Sequence, residues 1–67
     1  MKNVRKDVIE KLLKNYRELK AKNPQHGGYS YSTPRADHWL SVVDGKFHFG
    51  TKNYDGTYRH TELSISD

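Results

Sequence analysis

Residues 38–51, His38-Trp39-Leu40-Ser41-Val42-Val43-Asp44-Gly45-Lys46-Phe47-His48-Phe49-Gly50-Thr51, decide the fold. Asp44-Gly45 stands between two runs rich in β-branched and aromatic residues, His38–Val43 and Lys46–Thr51. An Asp-Gly pair in that setting signals a two-residue type I′ hairpin, because both loop positions need positive φ. A loop that short fixes the pairing: Val43 faces Lys46, Val42 faces Phe47, Ser41 faces His48, Leu40 faces Phe49 and Trp39 faces Gly50. Side chains alternate along each strand, so Leu40, Val42, Phe47 and Phe49 share one face. Trp39, Ser41, Val43, Lys46, His48 and Gly50 share the other.

Toward the C-terminus the next turn lies at Asn53-Tyr54-Asp55-Gly56, and its length can be tested against the core. A two-residue loop sets Phe49 opposite Glu62, and a four-residue loop sets Phe47 opposite Glu62; either puts a carboxylate among the apolar side chains. A three-residue loop, Tyr54-Asp55-Gly56 with Gly56 in the left-handed bulge position, pairs Phe49 with Thr61 and Phe47 with Leu63. It also keeps Ile65 on the core side. The region 38–67 is therefore expected to be a three-stranded antiparallel meander.

Toward the N-terminus, residues 23–37 (NPQHGGYSYSTPRAD) are rich in Gly, Pro, Ser and Asn and read as a connection. Tyr29-Ser30-Tyr31-Ser32 alternates in the manner of a short edge strand, but the segment is assigned to the connection. Residues 1–22 place Val4, Val8, Ile9, Leu12, Leu13, Tyr16 and Leu19 on one stripe of a 3.6-residue period, which is an amphipathic helix. Asn3 is the expected N-cap, and Asn23-Pro24 ends the helix because proline disfavours helical backbone in the residue before it. Acids precede bases by four residues at Asp7/Lys11, Glu10/Lys14 and Glu18/Lys22, the favourable order for such pairs. The expectation is thus one α+β domain over 1–67, α-β-β-β in order, with a single helix layered on the sheet. Its apolar stripe would cover Leu40, Val42, Phe47, Phe49, Leu63 and Ile65.

Sixty-seven residues make a core that is only just sufficient, and with no cysteine in the chain neither disulfides nor thiolate-bound zinc can supplement it. The absence of cysteine and of a long apolar run suits a soluble, cytoplasmic protein with no membrane span or signal peptide. The net charge of +4 is concentrated: residues 1–22 hold eight of the twelve Lys/Arg and three of the eight acids.

The register leaves Trp39, Ser41, Lys46, His48, Lys52, Tyr58, His60 and Glu62 on the sheet face away from the helix, with nothing expected to cover them. Exposed aromatics beside lysines suit stacking on bases with contact to phosphates, and they equally suit a protein interface. The plainer alternative is that Trp39 fills the space over Gly50 and the lysines are solubilising edge residues. Lys6, Arg17 and Lys20, left over from the helix pairs, form a second candidate surface for phosphates; a simply solvated helix face is the alternative.

His48, His60 and Glu62 are the residues from which acid–base chemistry or a two-His-one-carboxylate metal site could be drawn. A structural His–Glu cross-strand pair is the simpler expectation, and His38, on the core-side face, is expected to be a satisfied structural histidine. HExxH, GxSxG and phosphate-cradling glycine loops are absent from the sequence. The expected function is a non-enzymatic binding module without cofactor or metal. It would bind nucleic acid through Trp39, Tyr58, His48, Lys46, Lys52, Arg59 and the helix lysines, or act on a nucleic-acid-handling complex. The alternative is a phage-type or mobile-element inhibitor or adaptor that binds a host protein such as a CRISPR effector or polymerase; a ribonuclease toxin using His48, His60 and Glu62 stands behind both. A homodimer is compatible with each.

Overall fold

The computed structural model describes residues 3–65. One helix, α1 (Lys6–Lys22), is followed by four strands, β1 (Gly28–Ser32), β2 (Ala36–Val43), β3 (Lys46–Asn53) and β4 (Tyr58–Ser64). They form one antiparallel sheet in the order β1-β2-β3-β4. The helix expected from residue 1 and the sheet expected to residue 67 thus extend, at residues 1, 2, 66 and 67, outside the described residues.

The central hairpin has the expected register, from Val43 opposite Lys46 to Trp39 opposite Gly50. Its turn is set by Asp44 at φ +50° and Gly45 at φ +74°, the left-handed pair that a type I′ loop requires. The second turn is also as expected. Asn53 N–H donates to Thr57 O at 2.9 Å, Gly56 sits at φ +98°, and Phe49 and Phe47 face Thr61 and Leu63. Asp55 stiffens this loop by accepting both the Thr57 N–H, at 2.9 Å, and its hydroxyl, at 2.8 Å.

The sheet has four strands, not three. Tyr29-Ser30-Tyr31-Ser32 lies in β1 and pairs with β2, Tyr29 opposite Leu40 and Tyr31 opposite His38. The alternation is what places it there: Tyr29 and Tyr31 pack against the core while Gly28, Ser30 and Ser32 turn to the other face. The connection assigned to 23–37 is accordingly reduced to two short pieces, and β2 begins at Ala36, earlier than His38.

α1 starts at Lys6, and Asn3 does not cap it. Arg5 is the N-cap residue, with extended backbone and no side-chain cap. Residues 3–5 are held instead by the sheet: Val4 is buried, its N–H donates to Thr61 Oγ1 at 2.8 Å, and Arg59 Nη1 donates to Asn3 O at 3.1 Å. Burying Val4 on the far strand outweighs the small gain of adding a frayed helical turn. At the other end Asn23 leaves the helix in extended backbone and closes it with an N–H to Leu19 O bond of 2.9 Å.

Val8, Leu12 and Tyr16 form the buried stripe of α1, and with Val4, Leu40 and Phe49 they make the core. The Tyr16 ring meets Phe47 edge-on at 5.9 Å. The helix packs on β1 and β2. A helix is about 10 Å across and strands are about 4.8 Å apart, so one helix covers about two strands. Two residues expected in the core are therefore exposed: Leu63 at 43% and Ile65 at 37%. The additional strand β1 draws the helix away from β4.

Candidate binding face

Pairing across four strands arranges the open face in rows. Ser30, Trp39, Gly50 and His60 form one row; Ser32, Asp37, Lys52 and Tyr58 form the next; Gly28, Ser41, His48 and Glu62 form the row on the other side. All eight sheet residues expected here are on this face. Lys6, Arg17 and Lys20 are not brought to them: α1 lies against the opposite face, so the sheet separates the two sets. Lys20 Nζ instead lies 5.6 Å from the Tyr16 ring centroid.

Trp39 lies on Gly50. A Cβ placed at Gly50 would overlap the indole carbons, so the ring occupies the space that any other residue's side chain would take. The indole remains half-buried, and 5.9 Å from its centroid stands the ring of Tyr58, 45% exposed. Trp39 thus does fill the space over Gly50, and it remains part-exposed beside a second aromatic ring. On the β1 side its neighbours along the strand are small, Gly28, Ser30 and Ser32.

His48 and His60 stack with ring centroids 5.8 Å apart. Glu62 stands opposite His48 as expected, but its carboxylate is engaged by its other neighbour, Lys46, with Nζ to Oε1 at 3.2 Å, and among the described residues it makes no ion pair with the histidine. That lysine, by hydrogen bond and charge, holds the Glu62 carboxyl below the usual range. The two histidines and Glu62 share a face without converging, and among the described residues no group of three or more His, Asp or Glu is gathered to hold a metal ion. The three helix pairs Asp7/Lys11, Glu10/Lys14 and Glu18/Lys22 do not close either; among the described residues the ion pairs are Arg5–Asp7 and Lys46–Glu62.

Asp37 belongs to this face and was not anticipated. Its carboxylate accepts from Ser32 Oγ at 2.7 Å and from Tyr54 Oη at 2.9 Å, and these two bonds hold its carboxyl low. The residue could be found only once β1 is recognised, since Ser32 opposite Asp37 is a β1–β2 pair. With Asp37 and Glu62 set against Lys46 and Lys52, the charged side chains of the face balance. The positive excess of the chain lies elsewhere.

Among the described residues no helix is long and apolar enough to cross a membrane. Comparison with known proteins finds no matching family model, no matching curated protein and no matching solved structure.

Proposed function

We propose that the chain is a non-enzymatic binding module that takes single-stranded nucleic acid on its open sheet face. The observation that carries this is the pair Trp39 and Tyr58, side by side at 5.9 Å on an uncovered sheet with Lys52 opposite Tyr58. Stacking a base on an aromatic ring is worth about 1–3 kcal/mol, and it needs an exposed ring with open space beside it. The flanking glycine and serines of β1 leave that space. Because charges on the face balance, stacking supplies most of the affinity and the lysines orient the backbone.

This proposal makes a quantitative demand on salt dependence. If Lys46 and Lys52 are the phosphate contacts, log affinity falls with log salt at a slope near about −1.4 for a single strand. Trp39 is the single tryptophan of the chain, so its fluorescence reports stacking directly. Titration with unstructured oligonucleotides should quench that fluorescence, and Tyr58→Ala should weaken binding about fivefold or more. No quenching at low salt sinks the proposal, and a much steeper slope moves the contact to the helix side.

A protein partner within a nucleic-acid-handling complex is the second reading, favoured by the same charge balance. A flat face with central aromatics, two carboxylates and two lysines resembles the core and rim of an interface. A stoichiometric protein partner retained after nuclease treatment and lost on Trp39→Ala selects it.

A further inference from the structure

On the helix side of the sheet, where the first turn of α1 meets β1 and β2, lies a cleft of about 450 Å³. Four cationic residues line it, Arg5, Lys11, Arg35 and Arg59, against one carboxylate, Asp7. They come from the N-cap, the helix, the β1–β2 turn and β4, so only the fold assembles them. Its floor holds His38, 8% exposed, whose Nδ1 is 2.9 Å from Thr51 Oγ1. When the Thr51 hydroxyl donates to Nδ1, the ring proton sits on Nε2, a donor with no protein acceptor among the described residues. No buried side-chain nitrogen or oxygen of the described residues lacks a partner, so Nε2 reaches solvent, and His38 lines the cleft. Beside it Tyr31 stands at 4.9 Å, with Lys11 Nζ 4.5 Å from the Tyr31 ring centroid.

We propose that this cleft is a binding site for a phosphomonoester, with Arg35 and Arg59 clamping the phosphate and His38 Nε2 donating to it from below. Three of the four cations are arginines, whose planar forks match a phosphate oxygen pair. Arg5 is partly engaged by Asp7 at 3.3 Å and Arg59 spends one N–H on Asn3 O, which leaves the remaining N–H groups of both and all of Arg35 for the anion. The volume exceeds that of a bare phosphate and falls in the range of small-ligand pockets, and the Tyr31 and His38 rings give the ester's organic part an aromatic wall. The site lies across the sheet from Trp39 and Tyr58, so it stands or falls independently of the open face.

The test uses the whole chain labelled with ¹⁵N, at low salt, with inorganic phosphate, adenosine monophosphate, and 5′-phosphorylated and 5′-hydroxyl single strands as probes. Adenosine monophosphate should shift the His38 ring nitrogen signals and bind more tightly than inorganic phosphate. Arg35→Gln, at an exposed position, should keep the fold by circular dichroism and lose affinity, and the double variant Arg35→Gln/Arg59→Gln, which also gives up the Arg59 bond to Asn3 O, should lose about tenfold or more. A preference for the 5′-phosphorylated strand over its 5′-hydroxyl counterpart assigns the phosphate to a nucleic-acid end; equal binding of the two, with adenosine monophosphate still bound, assigns it to a small free ester. His38 signals unmoved by adenosine monophosphate and by both strands, or an unchanged response in the double variant, overturn the proposal.

Discussion

The indole of Trp39 occupies the side-chain space of Gly50, its partner across β2 and β3. Replacing a strand glycine by alanine ordinarily stabilises by about 0.5–1 kcal/mol, since glycine loses more backbone freedom on folding. Here the new methyl group meets the ring, and overpacking of this kind costs about 1–3 kcal/mol. The second effect is larger, so Gly50→Ala should destabilise, lowering the urea midpoint. It should also shift Trp39 emission to the red as the ring is lifted into water. A Gly50→Ala protein of raised stability with unchanged emission would show that the indole does not rest there.

Thr61 tests the attachment of residues 3–5 to β4. Its hydroxyl accepts the Val4 N–H at 2.8 Å, and Thr61→Val removes the acceptor while keeping the shape. Leaving a buried N–H unpaired costs about 1–3 kcal/mol, and because this bond is part-buried the lower end of that range applies. The urea midpoint should fall accordingly and the Val4 amide should exchange faster; a neutral outcome would mean that Val4 is not held at the sheet.

Helix coverage of only half the sheet predicts a contrast between residues of the same strand face. Phe49, fully buried, should cost about 3–5 kcal/mol when replaced by alanine, enough to unfold much of so small a domain. Leu63 lies two positions away across the β3–β4 pairing and is 43% exposed. Leu63→Ala should cost about 1 kcal/mol or less. Equal costs at the two positions, measured by urea denaturation, would require the helix to reach β4.

His38 sets the pH dependence near neutrality. Burial pushes its pKa below the ordinary 6.5; Asp37 and Asp7 oppose that shift and Lys11 reinforces it, while Thr51, Tyr31 and the cleft arginines complete its surroundings. Between the depressed folded value and 6.5 the unfolded chain binds more protons, so stability rises with pH through that window and is lost as pH falls below 6.5. Asp37, Asp55 and Glu62, all held low, add their losses only in the acid range below the ordinary carboxylate values. Urea midpoints at pH 7.5 and pH 5.5 should therefore differ for the natural chain and converge for His38→Gln. A variant that keeps the full difference would assign it to another group.

The parts of this fold legible in the sequence are those that glycine and alternation specify together. Asp44-Gly45 fixed one register, and placing Glu62 outside the core fixed the other. Coverage was not legible, because it depends on the number of strands competing for one helix. Once Tyr29 and Tyr31 add β1, the helix stripe is shared toward that edge and Leu63 and Ile65 lose their roof. Asn3 has the side chain of a good cap, yet the hydrogen bond to Thr61, from a residue 57 positions away, decides the start of α1. The open face was readable for the same reason as the register, with Asp37 missing only because its partner strand was. The cleft around His38 was hidden, since Arg5, Arg35 and Arg59 meet only in three dimensions.

The one-sided roof divides the sheet into two halves of unequal permanence. Amide hydrogens shared between β2 and β3 sit under the core and should outlast all others in exchange with heavy water, opening only with global unfolding. Those of β4, bonded along one edge, held at Thr61 by Val4 and bare on both faces only toward Leu63, should exchange sooner, through local fraying that starts at the Leu63 end. Tyr58, His60 and Glu62 ride on that strand, while Trp39 rides on the protected one. The open face is therefore half anchored and half hinged, so a partner that grips both Trp39 and Tyr58 would fasten β4 down and record its arrival in the slowed exchange of that strand.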